Sequence, residues 1–315
     1  MRALPEHISN GAASHRDIIE TALQWRGSSL AIATVVETWR SAPCPVGTHM
    51  LMHQDGRFVG SVSGGCVEGD VLETAAMVIA SGTHQVKRYG TSDGAVWEAG
   101  LPCGGDILIL IQPVSAAGFP PGLVDQIDAA NRAGMPLTVR TSLETGSSAL
   151  DAGTFFNVYA PPRRLLIVGA VEIARTLSRL ARDTGFDVTV IDPRSRFLTE
   201  ERFPGVSLDD RWPDEAIAAL APDERTAVVT LSHDPKIDDP ALKAALAAPT
   251  GYIAALGSKS SHAARLLRLQ SLGCTDEQLA RIEGPAGVTI NAINAPEIAL
   301  SIAGGMVRAF NHGRR

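Results

Sequence analysis

The chain has 315 residues, 45% of them hydrophobic and 20% charged, which is typical of a globular protein and indicates about two domains. Its net charge of −6 argues against nucleic acid as the main partner. No stretch of about 18 apolar residues predicts a membrane-spanning helix, and no apolar signal segment follows the first residues, so we expect a cytoplasmic protein without a membrane partner.

The first half of the chain predicts an α+β domain. Residues 15–25 have the periodicity of a short helix, and residues 29–38 read as a strand. The segments 48–53 and 57–63 flank Asp55-Gly56, a dipeptide typical of a tight hairpin turn. Further predicted strands are 85–89, 107–111, 137–143 and 155–159, and further predicted helices are 67–79 and 124–133.

From Arg163 onward the pattern changes to alternating strands and helices. The predicted strands are 165–168, 188–191, 227–231 and 252–256, and the predicted helices are 173–181, 242–247, 261–272 and 296–310. This alternation is typical of a parallel sheet with helices on both faces. We therefore predict an α/β chain with an N-terminal α+β domain at residues 1–160 and a C-terminal Rossmann-like domain at residues 161–315.

Two of the four cysteines stand beside a glycine pair, in Gly64-Gly65-Cys66 and in Cys103-Gly104-Gly105. Glycines allow sharp turns and close approach of a ligand, and free N–H groups at a helix start favour anions. The N–H groups of both pairs could hold anionic oxygens, and the two thiolates could bind a metal or relay sulfur. Glu68 could assist proton transfer or only fix the helix start. The alternative is that both cysteines are small buried residues in tight turns.

Cysteine spacing points away from a structural zinc site. The cysteines at positions 44, 66, 103 and 274 include no CxxC pair, which a finger-type zinc site requires. In a reducing compartment we expect all four to be thiols.

The turn after the first predicted strand of the C-terminal domain resembles a dinucleotide-binding turn with an incomplete glycine pattern. Asp192 follows Gly169 by about 20 residues, where a ribose-binding carboxylate belongs. Val171, however, stands where a second glycine would admit a pyrophosphate, and Glu172 places a negative charge at the helix start. The sequence therefore predicts weak or no NAD(P) binding, with Asp192 capping the turn before Pro193.

A second polar cluster follows the third and fourth strands of this domain. It consists of Ser232-His233-Asp234 and of Gly257-Ser258-Lys259-Ser260. Ligands of parallel sheets bind at the carboxyl ends of strands, and the second segment could offer N–H groups and hydroxyls to a phosphate. His233 alone is more often a surface or capping residue, but together with Ser258 and Lys259 it becomes a candidate.

Motifs along almost the whole chain resemble the XdhC/CoxI family, whose members are accessory proteins of molybdenum hydroxylases such as xanthine dehydrogenase. The motifs are residues 60–69, 88–90, 100–105, 191–194, 233–235 and 255–265. The resemblance implies a maturation chaperone, rather than an enzyme, that binds and protects molybdenum cofactor (molybdopterin). It also implies that the cofactor is presented to a cysteine desulfurase for sulfuration and is then handed to the hydroxylase apoprotein.

The candidate cofactor-binding residues come from both domains. They are Ser63, Gly64, Gly65, Cys66, Glu68, Cys103, Gly104, Gly105, Gly169, Asp192, His233, Ser258 and Lys259, with Cys66 and Cys103 as metal ligands. A carrier of a labile cofactor gains from closing its site against another surface, so we expect a homodimer with strand 107–111 and hairpin 48–63 as interface elements.

Three sites depart from the family pattern. Val171-Glu172 replaces Gly-His in the first turn, Cys44 replaces a frequent arginine, and residues 287–292 replace a Gly-Leu-Asp-Ile-Gly-Ala segment.

Two other functions stay open. One alternative is an NAD(P)-dependent oxidoreductase that uses the C-terminal domain, and the altered glycine turn counts against it. The other is a redox protein that binds a metal through Cys44, Cys66 and Cys103.

Overall fold

A computed structural model describes residues 12–42, 44–90 and 105–311, with the backbone alone at 12–14. The chain divides into two compact units, residues 1–161 and 162–315. The predicted mixed α/β class is confirmed, because the sheets of the first unit are antiparallel and the sheet of the second unit is parallel. Among the described residues, no helix is both long and apolar enough to cross a membrane.

Among its described residues, the first unit combines three helices with two antiparallel sheets. Its elements are α1 (Ala12–Gln24), β1 (Leu30–Trp39), β2 (His49–His53), β3 (Phe58–Gly60), α2 (Glu68–Ser81), β4 (Gln85–Tyr89), β5 (Asp106–Pro113), α3 (Pro121–Arg132), β6 (Leu137–Thr141), β7 (Ser148–Ala149) and β8 (Phe155–Tyr159). The larger sheet has the order β3-β2-β1-β5-β4 and the smaller one β7-β6-β8.

Helix α2 covers one face of the larger sheet. Val71, Ala75 and Val78 recur at helical spacing and are fully buried against alternate residues of β1 and β5. The apolar residues of α1 and α3 form a separate cluster with side chains from the other face of β1 and β2. Both faces of the larger sheet are therefore covered by helices.

The start of α2 is tied to strand β4. Asp70, in the first turn of the helix, accepts hydrogen bonds from Lys87 Nζ at 2.6 Å and from the Tyr89 hydroxyl at 2.5 Å. These bonds fix the end of the helix at which the loop from β3 arrives.

Strand β5 is an interior strand and not an exposed interface element. It pairs with β1 on one side and β4 on the other, and Ile107, Ile109 and Ile111 are fully buried within the unit. A continuous apolar run fits a strand covered inside its own domain as well as one covered by a partner. The predicted use of residues 107–111 as a dimer contact is therefore wrong, while the homodimer itself stays a prediction.

The second unit is a six-stranded parallel sheet in the order β11-β10-β9-β12-β13-β14. Its elements are β9 (Arg163–Val168), α4 (Glu172–Asp183), β10 (Phe186–Ile191), a 3-10 helix (Ser195–Phe197), β11 (Ser207–Asp209), α5 (Pro213–Leu220), β12 (Thr226–Thr230), α6 (Pro235–Ala247), β13 (Tyr252–Ala255), α7 (Lys259–Ser271), α8 (Asp276–Leu279), β14 (Ile282–Glu283) and α9 (Ala295–Asn311).

Alternation along the strands explains the three layers of this unit. In β9, Leu165 and Ile167 face the cluster that contains α4 and α9, whereas Leu166 and Val168 face the cluster that contains α5, α6 and α7. Both faces of the sheet are therefore covered, which is why its strands read as nearly continuous apolar runs.

Helix α6 begins earlier than the sequence predicts. The apolar periodicity is evident only from Leu242, since Pro240 reads as a helix breaker. In the structure Asp234 caps the helix by accepting the Lys236 N–H at 2.9 Å, and Pro235 occupies the first helical position, which needs no N–H donor. The short elements β11 and α5 have too few residues to show a clear period in the sequence.

Candidate functional site

The loop between β3 and α2 is organised around the Glu68 carboxylate. Oxygen Oε1 accepts the Ser61 hydroxyl at 2.5 Å and the N–H groups of Val62 and Ser63 at 3.1 and 2.9 Å. Because these donors lie five to seven residues before the acceptor, the carboxylate fastens the loop to the first residue of the helix.

The second carboxylate oxygen closes the other half of the loop. Oε2 accepts the Ser63 hydroxyl at 2.5 Å and the N–H groups of Gly65 and Val67 at 2.8 and 3.2 Å. Glu68 thus satisfies donors that would otherwise be open at a helix start, where a negative charge is also favoured by the helix dipole.

The N–H groups of the glycine pair have acceptors within the loop. Gly64 donates to the Ser61 hydroxyl oxygen at 2.8 Å, Gly65 donates to Glu68, and Cys66 donates to the Ser63 hydroxyl oxygen at 2.9 Å. This corrects the expectation that the Gly64 and Gly65 N–H groups point to a ligand, because a ligand anion would first have to displace these side chains. Ser61, which is not among the candidates predicted from the sequence, is a central partner in the loop.

The hydrogen bonds decide the charge of Glu68. Burial disfavours its ionised form, but the hydrogen bonds from Ser61 and Ser63 outweigh burial and lower the pKa of Glu68 to about 2. The carboxylate is therefore ionised at neutral pH and has little tendency to take up a proton. Of the two roles predicted for Glu68, this geometry supports fixing the helix start rather than proton transfer.

Two of the described thiols border this loop. Cys66 is exposed and free, two residues before the first residue of α2. Cys44 is half-buried, and its thiol donates to the Ser61 carbonyl at 3.8 Å. Burial, together with the charge of Glu68, raises the pKa of the Cys44 thiol, so Cys44 stays protonated at neutral pH. Cys66 is therefore the reactive candidate of the two.

The second predicted glycine pair is only partly described. Cys103 and Gly104 lie outside the described residues. Gly105 is buried, and a side-chain carbon there would lie 2.1 Å from the Ser41 carbonyl oxygen and 3.0 Å from that of Trp39. Packing against segment 39–41 therefore requires a glycine at position 105.

The described residues do not assemble a metal centre by themselves. Within 12–42, 44–90 and 105–311, no three His, Cys, Asp or Glu side chains are grouped so that they could hold a metal ion. Cys66 is thus a single exposed donor, to which a ligand would have to bring its own metal.

In the second unit, the protein's own side chains occupy the turn that would meet a dinucleotide in a nucleotide-binding Rossmann domain. Asp192 is fully buried, and it accepts the Ala170 N–H at 2.8 Å and the Arg194 guanidinium at 2.7 and 2.9 Å. These hydrogen bonds outweigh burial and lower the pKa of Asp192. In a dinucleotide site the carboxylate would bind ribose and the turn would bind the pyrophosphate, so both partners are already engaged here.

Gly169 is required by a close contact between neighbouring strands. Its φ is +107°, and a side-chain carbon would lie 2.8 Å from the nitrogen of Ser232, two residues after β12. The role of Gly169 in this structure is therefore to let the ends of β9 and β12 approach each other.

We expect titration calorimetry with NAD to show no binding up to about 1 mM. The physical reasons are the Val171 side chain in the turn, the Glu172 charge and the Arg194–Asp192 pair. Substituting glycine at 171 and histidine at 172 should not be enough to create binding unless Arg194 is also replaced. Micromolar affinity of the parent protein for NAD or NADP would contradict this prediction.

The second polar cluster lies at the carboxyl ends of β12 and β13, two interior strands of the sheet. Thr230 of β12 pairs with Ala255 of β13, so the residues that follow them leave the sheet side by side. His233, Ser258 and Lys259 are all exposed there. The structure therefore places these three candidates at the carboxyl ends of adjacent strands, as the sequence predicts.

Two buried charged residues accompany this cluster, and neither is among the candidates predicted from the sequence. Asp238 of α6 accepts the Ser232 hydroxyl at 2.6 Å, and Arg265 of α7 donates to the Leu256 carbonyl at 2.7 Å. Two sequence signals point to Arg265: it ends the 255–265 motif of the family resemblance, and its spacing of four residues from the buried Leu269 places an arginine on an otherwise apolar helix face.

Comparisons with known proteins cover both units. Residues 23–90 match the XdhC and CoxI family, and residues 165–306 match the XdhC Rossmann domain. A crystal structure described as a xanthine dehydrogenase from Bacillus halodurans has a TM-score of 0.83 at 24% identity, over 95% of this chain and 96% of that chain. That likeness shows the fold.

Two curated proteins are similar over nearly the full length. The chain is 30% identical to the molybdenum cofactor insertion chaperone PaoD of Escherichia coli (strain K12), over 91% of this chain and 86% of that protein. It is 26% identical to a probable xanthine dehydrogenase subunit of Bacillus subtilis (strain 168), over 88% of this chain and 92% of that protein.

Proposed function

Because the chain belongs to the XdhC and CoxI family, we propose that it is a maturation chaperone that binds molybdenum cofactor and inserts it into a molybdenum hydroxylase apoprotein. The observation that carries the proposal is the exposed Cys66 thiol on a loop held by Glu68, in a chain similar over most of its length to an insertion chaperone. The cofactor is cargo in this function and not a resident group.

The donor set of the loop suits such cargo. Thiolates are ligands that soft metal centres prefer, and Cys66 is the exposed thiol among the described residues. Glu68 keeps the loop in one conformation, which lowers the entropy cost of binding at Cys66. We propose Cys103 as a second thiol that contacts the cofactor, on the basis of its sequence motif alone.

The finer steps of the cycle extend this proposal. While the cofactor is bound, a cysteine desulfurase would sulfurate it, and a hydroxylase of the xanthine dehydrogenase type would then receive it. Closure of the site in a homodimer would shield the cofactor from water and oxygen between these steps. Hairpin β2–β3 remains a candidate contact, since β3 is an edge strand of its sheet.

Reconstitution of a molybdenum hydroxylase from apoprotein tests the proposal. The chaperone supplies the cofactor, and hydroxylase activity reports its delivery. Cys103→Ala should lower delivery by about tenfold or more, as the loss of a metal contact typically does, and Cys66→Ala should have a similar or smaller effect. Cys274→Ala is the matched control, because Cys274 is buried in the second unit against α8 and β14.

Circular dichroism on each variant should show an unchanged fold. If both Cys66→Ala and Cys103→Ala deliver as much cofactor as the parent protein, the thiols have no part in delivery. The two glycine–cysteine units would then be turn structure alone.

A further inference from the structure

Arg265 is a buried cation with unused hydrogen-bond donors. Arg265 is 4% exposed, and among the described residues only its Nη2 has an acceptor, the Leu256 carbonyl at 2.7 Å. Nε and Nη1 are buried without a hydrogen-bond partner among the described residues. Because buried donors are nearly always paired, two unpaired donors leave this guanidinium as a buried positive charge that an anion on the loop above it would neutralise.

The guanidinium lies against the loop that leads into α7. A side-chain carbon at Gly257 would come within 3.6 Å of Nη2, 3.9 Å of Nη1 and 3.3 Å of the Ser261 Cβ. Gly257 also has a φ of +149°, which other residues rarely adopt. Glycine at this position therefore lets Arg265 reach under the first turn of the helix.

The first turn of α7 offers exposed donors at the same place. Ser258 caps the helix by accepting the Ser261 N–H at 3.1 Å, and its hydroxyl lies 2.8 Å from that of Ser260 and 2.9 Å from that of Ser261. Lys259 is exposed beside them. The helix has 13 residues, so its aligned peptide dipoles favour negative charge at this end.

The neighbouring carboxylates Asp238 and Asp239 attract Arg265, but neither forms an ion pair with it. Asp239 is engaged by Arg268 at 2.6 and 3.0 Å, and one oxygen of Asp238 accepts from Ser232. Burial also raises the pKa of Asp238 despite the attraction of Arg265. In the part of the chain that the structure describes, no carboxylate lies within ion-pair distance of Arg265.

We propose that the start of α7 binds the phosphate group of a phosphate monoester, at a place we call the α7 anion site (Gly257, Ser258, Lys259, Ser260 and Arg265). The exposed N–H groups, hydroxyls and ammonium group contact the phosphate oxygens, and the guanidinium supplies positive charge from beneath the loop. This binding function belongs to the second unit and goes beyond cofactor delivery through the Cys66 loop.

Titration calorimetry with inorganic phosphate tests the site, using the full-length, cofactor-free protein in chloride buffer. The parent protein should bind phosphate, and Lys259→Ala should weaken binding by about tenfold through loss of a charged contact. Lys236→Ala is the matched control, because Lys236 occupies the first turn of α6, also a helix of 13 residues, where the Asp234 carboxylate caps the helix. It should bind phosphate like the parent.

Arg265→Gln should abolish binding if the variant folds. If that variant unfolds, Lys259→Ala and Ser258→Ala carry the test. The site is wrong if the parent shows no phosphate binding up to about 10 mM, or if Lys259→Ala and Lys236→Ala both bind like the parent.

Two further titrations identify the source of the phosphate group. Competition by AMP would assign the site to a nucleotide. Loss of phosphate binding after loading with molybdenum cofactor would assign it to the phosphate of that cofactor. Since the first titration uses no cofactor, a negative result there leaves the chaperone proposal standing, and failed cofactor delivery leaves the anion site standing.

Discussion

Replacing Glu68 with glutamine should lower the free energy of unfolding of the protein by about 2 kcal/mol. The carboxylate accepts hydrogen bonds from two hydroxyls and four N–H groups, and an amide would turn an NH2 group toward some of these donors. Urea unfolding followed by fluorescence measures the change. Glu73→Gln, an exposed position on the same helix, is the control and should change stability by less than about 0.5 kcal/mol.

The same variant should remove a pH dependence of stability. The pKa of Glu68 is about 2 in the folded protein and 4.5 ordinarily, so its contribution is complete above pH 4.5 and is lost as the pH falls toward 2. Burial lowers the pKa of His15 and of His49, so the unfolded chain also gains protons at these residues as the pH falls. Only a comparison of parent and variant isolates Glu68.

Urea unfolding of both proteins at neutral pH and near pH 3 makes that comparison. The stability difference should shrink on acidification, because Glu68 of the unfolded parent takes up a proton below its ordinary pKa of 4.5, while the folded carboxylate stays ionised until near pH 2. An equal difference at both pH values would show that the charge of Glu68 does not hold the loop.

Gly60→Ala should destabilise the protein by about 3 kcal/mol or more. Gly60 has a φ of +83°, and an alanine Cβ would lie 2.4 Å from the His49 carbonyl oxygen and 2.9 Å from Ile18 Cδ1. The β2 backbone cannot move away without breaking its pairing with β1. Position 60 itself must therefore shift, and the loop to α2 begins there. Thermal or urea unfolding measures the effect.

Gly56 of the same hairpin provides the matched control. Its φ of +91° is nearly the same, but a Cβ there would meet nothing within 4 Å. Gly56→Ala should therefore cost only the backbone strain of about 1 kcal/mol. Equal losses for the two variants would show that backbone conformation, and not the contact with His49, decides the effect.

Periodic elements could be predicted from the sequence because their burial follows directly from spacing. The helical spacing of Val71, Ala75 and Val78 predicts α2, and the continuous apolar run of β9 fits a sheet covered on both faces. The exposed position of Cys66 just before α2 also follows from where the helix starts.

The polar contacts of the sites could not be predicted in the same way. Glu68 reaches back to donors up to seven residues earlier, and Arg194 turns back onto Asp192, so both contacts depend on the path of the loop in space. The sequence does not distinguish a free N–H group from one that donates to such a side chain. Arg265 is hard to predict as a site residue because burial of an arginine opposes the usual ranking of residues.

Direct measurement of bound cofactor tests the central claim, that this chain carries molybdenum cofactor. The purified protein is incubated anaerobically with cofactor released from a donor protein and desalted, and molybdenum, zinc and oxidised pterin fluorescence are then quantified. We predict molybdenum and pterin in equal amounts that scale with the protein and decrease in Cys66→Ala. If the desalted parent protein contains molybdenum and pterin only at background level, or zinc in their place, the chain does not carry molybdenum cofactor.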